Sequence, residues 1–159
     1  MSPDDFSRRY AEFVAPITTF VARRVERNDV DDVVADVFSI AWRKHHVVTD
    51  GEELPWLYRI ASNVIANHRR KSATNVRLIA TLVVRDPAPS AETIAIADMS
   101  LAAAWEQLHP RYREVLALTA IDGLSVNEAA IVLGVTPNAV SVRLTRARSR
   151  LAEELSKQN

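Results

Sequence analysis

The sequence predicts an all-α protein: two small helical domains joined by a flexible linker, the C-terminal one a helix-turn-helix. Three observations predict it. Apolar residues recur at helical spacing along most of the chain. A proline-bearing stretch with little amphipathic order, residues 73–97, divides residues 1–72 from residues 98–159. Between Ser125 and Arg150, two helical segments are punctuated by cap, glycine and proline at the spacing of a helix-turn-helix.

The first element carries Phe6, Tyr10, Phe13, Ile17, Phe20 or Val21, and Val25 on one side. Pro16 interrupts it, so a kink or a boundary between two helices is expected there. Asn28-Asp29 ends this run and opens D-V-D-D-V-V-A-D-V-F-S-I-A-W-R-K, with Asp29 as cap and acids in the first turn, where the helix dipole favours them. Val33, Val37, Ile40 and Ala41 form its buried stripe, and Asp32, Asp36 and Arg43 share its outward face. Taken alone, such a face is ordinarily a solvated surface.

His45 to Glu53 lacks periodicity and contains Gly51, and reads as a loop. Its paired histidines have no helical His-x-x-x-His spacing and the chain has no cysteine, so no metal site is expected. Pro55 starts a helix running to about Lys71, with Leu57, Ile60, Ala61, Val64 and His68 inward. Arg59, Asn63, Ala66 and Arg70 share the outer face, with Ser62 and Asn67 beside them. Two amides and several cations near Trp56 and Tyr58 suit a nucleic-acid backbone and unstacked bases. The alternative is a helix whose cations only complement its C-terminal dipole.

Within the linker, Leu78 to Val84 is apolar and should dock on another part of the molecule. The helical pattern resumes from Met99 with Leu101, Ala104 or Trp105, and Leu108. His109-Pro110 breaks it, and Arg111 to Ala120 restarts it with Val115, Leu116 and Leu118 inward. Asp122-Gly123 is a turn.

Ser125 and Glu128 form a capping box, in which each side chain satisfies a backbone N–H of the other. Gly134 supplies the left-handed residue that ends this helix. Thr136-Pro137 opens the next, with Thr as N-cap and Pro at the first helical position. At about 100° per residue, Val140, Leu144, Ala147, Leu151 and Leu155 fall on the core side. Asn138, Ser141, Val142, Thr145 and Ser149 fall opposite them; Arg143 and Arg150 lie on one flank, Arg146 near the outward face and Arg148 on the other flank. Small polar and methyl groups toward base edges, with guanidinium groups toward phosphates, are what a major-groove helix needs.

Composition narrows the function. The 159 residues carry no net charge, but the charges are sorted. Residues 1–53 hold 7 basic and 11 acidic side chains, residues 54–85 hold 6 basic and none acidic. Residues 86–128 hold 2 basic and 7 acidic, and residues 129–152 hold 4 basic and none acidic. Two acid-free basic blocks imply two anion-binding surfaces on one chain. No apolar run is long enough to span a membrane, and the acidic N-terminus lacks an apolar signal core, so a cytoplasmic location is expected. With no nucleophile–base pair, metal set or phosphate-cradling glycine loop, neither an enzyme nor a cofactor is expected.

Four blocks, D-V-D-D-V-V-A-D-V-F-S-I-A-W-R, W-L-Y-R-I-A-S-N, L-H-P-R-Y-R-E-V-L, and D-G-L-S-V-N-E-A-A with T-P-N-A-V-S-V-R-L-T-R-A-R, occur in order. Together they resemble bacterial RNA polymerase sigma factors of the extracytoplasmic-function type, over residues 5–155. The resemblance implies a transcription initiation factor that binds core RNA polymerase, recognises minus-35 and minus-10 elements and promotes strand opening. It implies that residues 1–72 form a region 2-like domain whose Asp32, Asp36 and Arg43 meet the core polymerase. Arg59, Asn63, Asn67 and Arg70, with the loop at 45–53, would take the melted minus-10 strand, Asn63 matching a residue that contacts a flipped-out base. Residues 98–159 would form a region 4-like domain reading duplex minus-35 DNA through Asn138, Ser141, Val142, Arg143, Thr145, Arg146, Arg148 and Arg150. An anti-sigma factor is an implied partner. Departures occur at Ser141, where many relatives carry Lys or Arg, at Val142, where they carry Ser, and at Glu53, where an aromatic is usual. Val142 can contact only a thymine methyl or exclude water, which implies an altered minus-35 preference. Asp50, Glu52 and Glu53 would repel phosphates. The rival function is a free-standing helix-turn-helix regulator that uses only the C-terminal half.

Overall fold

The computed structural model describes residues 1–72, 85–95 and 98–158; the regular elements among these residues are all helices, joined by short turns and loops, with no strand among them. Helix α1 (Pro3–Tyr10) begins at Ser2, whose hydroxyl accepts from the Asp5 N–H in a capping box. A single tight turn, Ala11–Phe13, separates α1 from α2 (Val14–Ala22), so the interruption near Pro16 is a boundary rather than a kink. Pro16 then sits in the first turn of α2, where its missing N–H is tolerated.

Helix α3 (Val30–Lys44) buries Val33, Val37 and Ala41. Asp29 does not cap it: it lies in a short tight-helical turn, and its carboxylate faces His68 Nε2 at 3.3 Å. Helix α4 (Glu53–Ser72) starts two residues before the expected Pro55. It packs on both α2 and α3, and Leu57, Ala61 and Ile65 are fully buried in the first half of the molecule.

Part of the linker is described, and it is more ordered than its composition suggests. Pro87, Ala88 and Pro89 are buried, and Ala91–Ala95 forms a short helix, α5. The Trp105 indole N–H donates to the Pro89 carbonyl at 2.8 Å, which ties this stretch to the second half. The apolar segment Leu78 to Val84 lies outside the described residues.

Helix α6 (Met99–Glu106) is capped by Asp98, which accepts from the Ser100 and Leu101 N–H groups. Helix α7 (Pro110–Leu116) is capped by His109 Nδ1, which accepts from the Arg111 N–H. It continues into a π-helical turn, Ala117–Ile121, in which the Asp122 N–H reaches back five residues to the Ala117 carbonyl. Helices α8 (Val126–Leu133) and α9 (Pro137–Ser156) complete the helix-turn-helix. Helix α9 packs on α6, α7 and α8, while α8 also packs along α4 of the first half. Buried apolar residues from both halves therefore form one continuous cluster.

Candidate nucleic-acid interface

The geometry of α8 and α9 follows from a few local choices. The Ser125 hydroxyl accepts from the Glu128 N–H at 3.1 Å, and the Glu128 carboxylate accepts from the Ser125 N–H at 3.0 Å. Gly134 has φ +67, a left-handed conformation that an L side chain rarely adopts. The Thr136 hydroxyl accepts from the Ala139 N–H at 3.1 Å and starts α9. Val140, Leu144 and Ala147 are buried, and Leu151 is half-buried against the core. That inward stripe turns the other face of α9 to solvent.

On that face Asn138, Ser141, Val142, Thr145, Arg146, Arg148 and Arg150 are exposed, and Arg143 is half-buried. Val142 is 41% exposed, a large apolar side chain in water with no core to fill. The Thr145 hydroxyl donates to the Ser141 carbonyl at 3.0 Å, which leaves its lone pairs to accept from a base. Arg150 is partly shared with Glu153, 3.6 Å away. Arg111 and Tyr112 of α7 close a cleft with Ala139, Val142, Arg143 and Arg146 of α9. Sequence reasoning missed this pair, because the pattern from Arg111 to Ala120 says only that a helix restarts, not which helix its outer face meets.

On α3, Asp32, Asp36 and Arg43 are exposed, as the spacing requires. Asp36 and Arg43 also line a groove shared with Asn67, His68 and Lys71 of α4, so the acidic face and the basic helix converge. On α4, Arg59, Asn63, Asn67 and Arg70 are exposed, but the outer face is narrower than predicted. Ser62 is 0% and Ala66 2% exposed. The reason is a second packing partner. Helix α8 runs along α4, and the Arg59 guanidinium lies close enough to Gly134 that a Cβ there would meet it at 3.1 Å. Asn63 Oδ1 accepts from Arg85 at 3.3 Å.

The acids of the 45–53 loop are handled locally. Arg9 of α1 donates to Asp50 at 2.7 Å and to Glu53 at 2.6 Å. Burial alone would raise the Glu53 carboxyl; hydrogen bonds from Arg9 and from the Gly51 N–H outweigh it and hold the carboxyl below its ordinary value. The same two acids raise the Arg9 guanidinium further. Two of the three negative charges expected to repel a phosphate are thus paired with a cation. His45 Nδ1 lies 2.7 Å from the Trp42 carbonyl and its ring stacks on Trp42, which accounts for this histidine structurally.

With this geometry in view, the comparisons are specific. The family described as Sigma-70 region 2 matches residues 9–75, and Sigma-70, region 4 matches residues 98–151. The RNA polymerase sigma factor CnrH of Cupriavidus metallidurans is 33% identical over 144 residues, covering 80% of this chain and 74% of that protein. The chain belongs to the RNA polymerase sigma factors of the extracytoplasmic-function type. The sigma factor NccH of Alcaligenes xylosoxydans is similar at 32% over 139 residues, covering 80% of this chain and 73% of its own. A solved structure of CnrH in complex with the cytosolic domain of CnrY is 30% identical and superposes with a TM-score of 0.61, over 98% of this chain and 88% of that one. This sigma factor is therefore a transcription initiation factor, which recognises promoters through regions 2 and 4 on behalf of core RNA polymerase. A free-standing regulator is not favoured, since region 2 accounts for the N-terminal half. No helix of the described residues is long and apolar enough to cross a membrane.

Proposed function

We propose the following division of labour within this sigma factor. The exposed Asp32, Asp36 and Arg43 of α3 dock on core polymerase. Arg59, Asn63, Asn67 and Arg70 of α4 engage the melted minus-10 strand, where recovering the cost of an extruded base, a few kcal/mol, requires a protein pocket. Helix α9 enters the minus-35 major groove, with Ser141, Val142 and Thr145 toward base edges. Arg143, Arg146, Arg148 and Arg150 meet phosphates, and Asn138 lies at the helix start, where it can reach either. The sigma factor itself carries out no catalysis and works in the cytoplasm.

One observation supports this reading above others: the exposed face of α9 carries four arginines and no acidic side chain before Glu153. Phosphate neutralisation by such a face supplies most of the affinity, and the small side chains between the arginines supply the choice of sequence. An anti-sigma partner is part of the proposal, because CnrH has been solved with the cytosolic domain of CnrY. Run-off transcription on promoter DNA selected by the holoenzyme tests the assignment. Core polymerase with the chain should yield a defined transcript, whereas a free-standing regulator would add nothing to core alone.

A further inference from the structure

Helix α1 grips the 45–53 loop at both of its ends. At the near end, the Phe6 ring stacks on Tyr10 with centres 4.3 Å apart and meets the Trp42 ring edge-on at 5.3 Å. Trp42 in turn stacks on His45, the first residue of the loop. At the far end a single nitrogen of Arg9, Nη2, donates to both Asp50 and Glu53, at 2.7 and 2.6 Å. The two acids are not equivalent. The Asp50 side chain is 92% exposed, whereas that of Glu53 is 12% exposed and also accepts from the Gly51 N–H at 2.9 Å. Gly51 has φ +89, a bend that a residue with a side chain would resist. The Glu52 N–H donates to the Thr49 carbonyl at 3.0 Å and closes the turn.

Held in this way, the loop turns its middle outward. His46, Val47 and Thr49 are exposed, Val47 keeping 61% of its surface in water. An imidazole, a branched apolar group and a hydroxyl are suited to stacking on, contacting and hydrogen-bonding unstacked bases. An ion pair at the surface adds little stability, so the tie through Arg9 matters for geometry. A loop keeps a binding geometry only as well as the contacts behind it hold it. Ordering it beforehand spares that cost when the ligand arrives.

We propose that Arg9 is a positioning residue for minus-10 recognition: with Phe6 it fixes the 45–53 loop at both ends and so sets where His46, Val47 and Thr49 meet the melted strand. The proposal rests on the assignment of α4 to that strand, since the loop runs directly into the first turn of α4. Arg9 acts through the loop rather than on a base. It also neutralises Asp50 and Glu53, which would otherwise stand unpaired beside the phosphates.

Run-off transcription by the holoenzyme tests this on its selected promoter and on copies carrying single changes across the minus-10 element. A wrong base in a specific site costs roughly five- to a hundredfold, and Arg9→Ala should reduce that discrimination about tenfold at one or more minus-10 positions. Discrimination at minus-35 should not change. Because one nitrogen makes both bonds, Arg9→Lys should restore the preference and Arg9→Gln should not. Glu53→Gln should lose more than Asp50→Asn, following their difference in exposure. Amide exchange at Gly51 reads the loop itself and should speed up in Arg9→Ala. An unaltered Gly51 amide would overturn the brace. A uniform loss on every promoter, or full activity with Arg9→Gln, would overturn the positioning role. Asn63→Ala on the same promoters reports on α4 separately: if it also leaves minus-10 discrimination intact, the assignment of α4 to the melted strand fails and the proposal goes with it.

Discussion

Replacing Arg146 with alanine removes one guanidinium from the most outward line of α9, where the side chain is exposed and its neighbours are small. Each phosphate neutralised on duplex DNA contributes about 0.9 to the slope of log affinity against log salt. Raising salt fourfold, from about 50 to about 200 mM, therefore costs roughly 3.5-fold in affinity per contact. Arg146→Ala should flatten the slope by about 0.9 and weaken binding to promoter and non-promoter duplex alike. Arg150→Ala should flatten it less, because Glu153 at 3.6 Å already shares that charge. Fluorescence anisotropy of the purified chain on labelled duplex, across a salt series, reads both. An Arg146→Ala slope equal to the parent's would refute phosphate contact at this position, and equal effects at both arginines would refute the pairing argument.

The remaining predictions concern the other surfaces. Asn63→Ala should spare duplex binding and reduce open-complex formation; permanganate reactivity of thymines in the bubble would fall, and an unchanged bubble would contradict the assignment. Ser125→Ala and Thr136→Ala each remove a helix cap and should cost about 1 kcal/mol in denaturation experiments. Because the folded Glu53 carboxyl lies below its ordinary value of 4.5, its stabilising contribution is present above that pH and is lost as pH falls through the lowered value. Arg9→Ala removes one of the groups that hold the carboxyl down and leaves the Gly51 N–H, so carboxyl NMR should show Glu53 titrating higher than in the parent. The stability gap between parent and variant should be widest near neutrality and close in acid; a gap independent of pH would contradict this.

The parts legible in the sequence are those set by neighbours along the chain. Ser125, Glu128, Gly134, Thr136 and Pro137 each act within four residues, and the turn they form is the one their order predicts. The inward stripes of α3 and α9 follow from a single packing face each. Helix α4 is different: its second buried face, at Ser62 and Ala66, is created by α8, which lies more than fifty residues later. A pattern of small residues does not announce a partner at that distance. Asp122 reads as a plain turn residue because Arg24, which buries it, lies 98 positions earlier. Likewise Asp50 and Glu53 read as unpaired acids because Arg9 is 41 and 44 positions away. In the linker, the order of residues 87–89 comes from Trp105 and Arg69, neither of them local.

What this chain is for turns on one molecule gripping polymerase and two promoter sites together. The most direct measurement is a hydroxyl-radical footprint of core polymerase with this chain on selected promoter DNA. The account predicts protection of the minus-35 and minus-10 elements on the same molecules, lost at minus-35 alone when Arg143 and Arg146 are both replaced. Failure of the chain to join core polymerase, or protection of only one element by the intact holoenzyme, would contradict it.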